Sequence, residues 1–276
     1  MMATPPNTHD SETDPRDAAR AEFVSLLSTH GDDVPLTEAA AWMCAEERGL
    51  DTIAPLMAEL TSLSEGLYVP DGTPVFEAVA RINHHLFEVL GFRGNEDDYG
   101  HPNNSLLDSV LQTRKGIPIT LSLVTMAVAE SVDVKMHGIG FPTHFLVSPA
   151  ASLPRFFVDP FYKGRVLTTD RLEPWFDRIS AQTGGRMPPL SWWLKPVTAR
   201  QILVRMNNNL QAAYLSQQDL NGALRCVERL LVLTPEAMEA RRDRGLLRIE
   251  LGQEEEGAKD LDVYLAARQF ENALTD

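Results

Sequence analysis

A chain of 276 residues has room for a core of about 100–150 residues and a second module beside it. Its 43% apolar and 23% charged content is ordinary for a globular protein in water. The formal net charge of −14 argues against nucleic acid as the main partner, because phosphate binders need a concentrated basic face.

Cys44 and Cys226 lie too far apart to suggest a disulfide framework, so a reducing compartment is the simpler expectation. No apolar run approaches the length of a membrane span, and the start, MMATPPNTHDSETDPRD, lacks the pattern of a signal peptide. A cytoplasmic protein with no membrane partner is expected.

Residues 1–16 have the composition of a disordered tail. Over 17–70 the pattern is helical in pieces: Phe23, Leu26 and Leu27, then Trp42 to Ala45, then Ile53, Leu56 and Leu60. This reads as a helical lead packed on a core, with Cys44 as a small buried apolar residue.

The core is assigned to 71–185. After the turn at Pro70-Asp71-Gly72, the spacing of Val79, Ile82, Leu86 and Val89 predicts a helix over 75–90. His84 and His85 are adjacent on it, about 100° apart, and cannot grip one metal as an i, i+4 pair can. Glu96, Asp97 and Asp98 in the following loop lack the alternating spacing of a calcium loop. No metal or cofactor is expected. Residues 103–111 read as a helix capped by Asn104 or Ser105, with Asp108 near the capping-box position.

Next comes RKGIPITLS, residues 114–122. Pro118 suits a first helical turn, and Leu121, Val124, Val128 and Val132 give the helix an apolar face. Strand-like runs follow over 135–141, 143–148 and 155–160, bounded by Gly and Pro. His144 starts the second run and Asp159 ends the third. If these strands form a hairpin the two side chains can meet, and a carboxylate beside an imidazole fixes the ring's tautomer and orientation. His137 on the first strand faces either this cleft or solvent. Lys163-Gly164-Arg165 reads as a hairpin turn.

The clearest break is Thr183-Gly184-Gly185-Arg186-Met187-Pro188-Pro189, and a linker is assigned to 186–198 with Trp192 and Trp193 as packing anchors between modules. Residues 199–276 read as helices with an internal repeat. A shift of 34 lays Leu215 on Ile249, Ala223 on Gly257, Val227 on Leu261 and Leu231 on Leu265. That is the tetratricopeptide period, and two repeats are too few to stand alone, so this unit is expected to dock on the core.

Three motifs in this order, RKGIPITLS (114–122), GIGFPTHF (138–145) and VDPF (158–161), resemble the SirB1 family, in which a transglutaminase-like (papain-like) domain precedes tetratricopeptide repeats. The resemblance runs from about Asp17 to the C-terminus. It implies an α+β fold: a helical lead, a core with a small antiparallel sheet, and C-terminal α-hairpins. It also places His144 and Asp159 on the catalytic His and Asp of transglutaminases. The cysteine that such enzymes carry at the start of the central helix is missing here, where the chain reads Ile117-Pro118-Ile119-Thr120-Leu121-Ser122.

Three readings remain open. In the first, which we carry forward, the domain is a non-catalytic interaction or regulatory protein whose partner is a protein or peptide. In the second, Thr120 or Ser122 is a hydroxyl nucleophile activated by His144 with Asp159, making the chain a hydrolase or acyltransferase. In the third, the dyad does acid–base work without a covalent step, with Asp108 or Arg114 binding substrate. The sequence leaves the oligomeric state open.

Overall fold

The computed structural model describes residues 14–151 and 155–275, with 271–275 as backbone only. Three helices lead: α1 (Pro15–His30), α2 (Leu36–Arg48) and α3 (Ile53–Ser62). Asp14 caps α1 by accepting the Arg16 N–H at 2.9 Å, so the helix starts inside the segment assigned to a tail. The rest of that tail, 1–13, lies outside the described residues. Small residues on α2, among them Ala39, Ala40, Ala41 and Cys44, are fully buried and let neighbouring helices approach closely.

Helix α4 (Val75–Asn83) continues into a wider π turn, His84–Val89, instead of keeping one pitch to its end. The Leu90 N–H reaches the His85 carbonyl at 2.9 Å, and buried His85 is held by its Nε2 to the Leu63 carbonyl at 2.7 Å. That bond spends His85 on the end of α3.

Strand β1 (Arg93–Gly94) pairs in parallel with β2 (Lys115–Gly116), enclosing a 3-10 turn (Pro102–Ser105) and α5 (Leu107–Thr113). The cap expected from Asn104 or Ser105 does not form: α5 follows Leu106 with no side-chain cap. The Asn104 amide goes to the loop instead, donating to the Asp98 and Tyr99 carbonyls at 2.6 and 3.1 Å.

Helix α6 (Pro118–Glu130) begins at the expected proline. Its burial goes beyond one apolar stripe, since every residue from Pro118 to Thr125 is buried. A helix buried all round lies inside the molecule. Helices α2 and α4 pack on parts of it, and the main sheet covers another side. That sheet is an antiparallel meander of β3 (Met136–Ile139), β4 (Leu146–Pro149), β5 (Phe157–Asp159) and β6 (Arg165–Leu167). The β5–β6 turn needs left-handed backbone at Lys163 and Gly164, with φ of 52° and 71°, which the glycine supplies without strain. Helices α7 (Thr169–Gln182) and α8 (Leu190–Trp193) cover the sheet's other side. There Trp193 joins the apolar cluster around Phe141 and Leu172, while Trp192 stays 52% exposed and meets Trp193 edge-on.

Four helices end the chain: α9 (Ala199–Ser216), α10 (Leu220–Leu233), α11 (Met238–Glu250) and α12 (Glu254–Thr275). The first pair belongs to the main core, where Leu203, Met206 and Leu210 cluster with Phe23 and Val124. The second pair closes on Gly245 and Gly257; a Cβ on Gly257 would lie 2.7 Å from the Gly245 carbonyl oxygen.

A buried polar seam joins the C-terminal helices to the lead. Arg229 of α10 has no exposed surface; its Nε and Nη2 reach Glu46 and Glu47 of α2, each at 2.8 Å, and its Nη1 donates to Asn207 of α9 at 3.1 Å. Glu47 also accepts from Arg225 at 2.6 Å and from the Tyr214 hydroxyl at 2.9 Å. Arg20 of α1 contacts both Glu46 and Glu228. Burial alone would raise the Glu47 carboxyl, but Arg229 and Arg225 outweigh it and hold it below its ordinary range.

Arg229→Met removes the buried partner that Glu46 and Glu47 share and leaves them Arg20 and Arg225, so a stability loss of about 3 kcal/mol in chemical denaturation is expected. Glu47 supplies a pH signature. Its folded value is depressed, so its contribution is present above the unfolded value of about 4.3 and is lost as pH falls through the lower folded one. The intact protein should lose stability steeply below about pH 4, and Arg229→Met less steeply.

Candidate functional site

The site forms where β4 and β5 reach the edge of α6. Before β4 the chain turns through Phe141-Pro142-Thr143-His144, with Thr143 left-handed at φ 60°. This turn is held from outside by Arg205 of α9, whose guanidinium donates to the Phe141 carbonyl at 3.1 and 3.2 Å and to the His144 carbonyl at 2.7 Å. Burial lowers the Arg205 pKa, and Tyr99 nearby opposes the shift.

His144 and Asp159 are brought together: Nε2 lies 2.8 Å from Oδ1. Asp159 has no exposed surface and His144 only 7%. The other oxygen, Oδ2, accepts from Arg165 at 3.0 Å, and the Tyr162 N–H points at Oδ1 from 3.4 Å. With the carboxylate as acceptor, Nε2 is the donor of this bond. Trp175 packs tilted on the imidazole at 4.9 Å between ring centres, and Tyr162 stacks on it at 6.0 Å.

Neither candidate hydroxyl joins this pair. Thr120 is wholly buried; its Oγ1 accepts the Ile117 N–H at 3.1 Å and donates to the Asn104 carbonyl at 2.8 Å, so it works as the cap of α6. Ser122 is also wholly buried, and its Oγ has no hydrogen-bond partner among the described residues. A nucleophile primed by His144 would sit about 2.6–3.2 Å from a ring nitrogen.

Both cysteines are free and buried. Burial, helped by Asp108, pushes the Cys44 thiol far up. Burial pushes the Cys226 thiol up to about 12, with Arg229 opposing. His137 points to solvent. Asp108 and Arg114 line a separate cavity of about 350 Å³ between α3 and α5, where Arg114 pairs with Glu59 at 2.5 Å and Asp108 faces Arg48 at 3.9 Å. Among the described residues no three His, Cys, Asp or Glu side chains gather as a metal set, and no helix is long and apolar enough to cross a membrane.

Sequence reading missed Tyr162, Arg165, Trp175 and Arg205. For Arg165 a signal existed: the turn at Lys163-Gly164 sets Arg165 directly across from Asp159 in the β5–β6 register, where opposite charges attract. For Arg205 there was none, since its partners lie 61 and 64 residues away.

Residues 47–208 match the family model of the transglutaminase-like superfamily, and residues 210–273 match that of the tetratricopeptide repeat. A UPF0162 protein of Xylella fastidiosa is 37% identical over 190 residues, covering 68% of this chain and 66%, just under two thirds, of its own length. A UPF0162 protein of Vibrio cholerae is 30% identical over 191 residues, 69% of this chain and 68% of its own. F-box only protein 21 of Mus musculus is 37% identical over 100 residues, 33% of this chain and 16% of its own.

The Arg205 contacts predict their own test. Arg205→Ala leaves two carbonyls of the His144 turn without their charged donor and should cost about 2–3 kcal/mol in denaturant unfolding. Arg205→Lys, with no planar fork, should recover only part of that loss.

Proposed function

The chain belongs to the transglutaminase-like superfamily, with tetratricopeptide repeats after the core, and we propose that it is a protein-binding or regulatory member that performs no thiol chemistry. On this reading it is of SirB1 type and cytoplasmic. Its partner is a protein or peptide held in the cleft beside His144 and Asp159.

The observation that carries the reading is the commitment of Thr120. Its hydroxyl bonds in both directions at the start of α6, where a thiolate would be needed. A thiolate nucleophile also needs an electropositive, partly exposed setting, and both cysteines are buried with raised pKa values. Two of the donor positions at the helix start are also unavailable. Pro118 has no N–H to offer, and the Ile117 N–H is already taken by Thr120.

One observation favours a second reading. The unpartnered Ser122 hydroxyl is a group whose burial costs about 1–3 kcal/mol, and a hydroxyl hydrolase or acyltransferase would use such a group. Its complete burial weighs against that use.

Purified protein should stay unlabelled by a panel of acyl and fluorophosphonate probes. Stoichiometric labelling lost in both His144→Ala and Ser122→Ala, or in His144→Ala and Thr120→Ala, would replace the binding reading with the hydroxyl enzyme. In the same samples Cys44 and Cys226 should react with a thiol reagent only in denaturant, because burial disfavours both thiolates.

A further inference from the structure

The groove next to the dyad has a charge opposite to that of the chain as a whole. Helix α7 carries Arg171, Trp175 and Arg178. At about 100° per residue these fall within roughly 60° of one another, whereas Asp170, Glu173 and Asp177 lie about 100–160° away from Arg171. The acids are thus turned from the face that the arginines share.

That face meets Tyr162 and Arg165 around an open groove of about 660 Å³ with no acidic side chain in its lining. Arg171 and Arg178 are exposed and have no ion-pair partner among the described residues. Arg165 spends one nitrogen on Asp159 and lays its guanidinium over the Tyr162 ring at 4.8 Å, yet 49% of its side chain stays exposed. Tyr162 and Trp175 are also the rings packed on His144, so groove and dyad share two walls.

We propose that this groove binds an extended acidic peptide segment of a partner protein, with carboxylates on Arg171 and Arg178 and an apolar residue between them against Trp175. The inference rests on the binding reading above and gives it a ligand class. Arg171 and Arg178 are about 10 Å apart along the helix axis. An extended peptide of polyproline II type advances about 3.1 Å per residue with three residues per turn, so acids in a Glu-x-x-Glu pattern share one face about 9 Å apart. Guanidinium forks suit carboxylates, taking both oxygens at once. Single-stranded nucleic acid is the less favoured occupant, because its unbroken row of phosphates meets a protein of net charge −14.

The test is fluorescence anisotropy with the full chain and a fluorescein-labelled Gly-Glu-Leu-Phe-Glu-Gly peptide. Saturable binding is expected, weakened about tenfold or more by Gln at both acidic positions, by Arg171→Glu with Arg178→Glu, and by added salt. Lys259→Glu, on exposed α12 surface, should leave the affinity unchanged. Both arginines are exposed, so the double variant should keep its circular dichroism and melting point. No binding, affinity unmoved by the double reversal, or tighter binding of a single-stranded oligonucleotide through the same arginines would overturn the inference. Equal binding of the Gln peptide would overturn it while leaving the binding reading standing. Mass spectrometry of the recovered peptide separates the other failure: an arginine-dependent complex whose peptide emerges cleaved or acylated would sink the non-catalytic reading and keep the acidic groove.

Discussion

The arrangement of this protein depends on one buried guanidinium. Arg229 has no water around it, so its desolvation must be offset by partners on every side; Glu46, Glu47 and Asn207 provide them from two other helices. Such a site tolerates little sliding, because a shift of either helix leaves a buried charge unpaired. Docking of α10 thereby fixes α9. Arg205 lies two residues before Asn207, about 200° round the same helix. One side of α9 is therefore committed to the ion-pair seam and the other to the His144 turn. The C-terminal helices are part of what shapes the cleft.

Asp159 plays the matching role on the other side. One oxygen meets His144 and the other meets Arg165, which also borders the cationic groove. A carboxylate shared in this way ties the imidazole, the β5–β6 hairpin and the groove wall into one unit. An anion that draws Arg165 toward itself also changes what remains for His144. Arg165 thus joins Tyr162 and Trp175 as side chains common to the groove and the dyad.

Much of this was legible in sequence where the cause is local. Pro118 marks the start of α6, Lys163-Gly164 marks the hairpin turn, and the 34-residue shift pairs the C-terminal helices. The meeting of His144 and Asp159 was legible although the strand starts later than expected: Asp159 ends β5, and His144 lies in the turn two residues before the neighbouring β4. What escaped has distant causes. Arg205 and Arg229 look like any solvent-facing helix arginine, since the acids paired with Arg229 are 182 and 183 residues away. Asn104 is a good capping residue, but its Oδ1, the atom a cap uses, accepts from the Asn95 amide at 2.9 Å. The full burial of α6 was hidden for the same reason, because a stripe of apolar residues says nothing about what covers the other faces.

The start of α6 bears most directly on what the dyad is for. A catalytic His–Asp pair needs a nucleophile at this helix end and free donors beside it. Here Thr120 closes its own hydrogen bonds, Pro118 lacks a donor, and Ser122 is wholly buried with its hydroxyl unpartnered among the described residues. A substrate could reach the wholly buried Ser122 only if the helix start opened, and that move gives up buried polar contacts. Holding the dyad's geometry needs no such move. In that geometry His144 braces Tyr162 and Trp175, the same rings that floor the arginine groove. On the reading proposed above, a pair that elsewhere activates a nucleophile here keeps a recognition surface in shape.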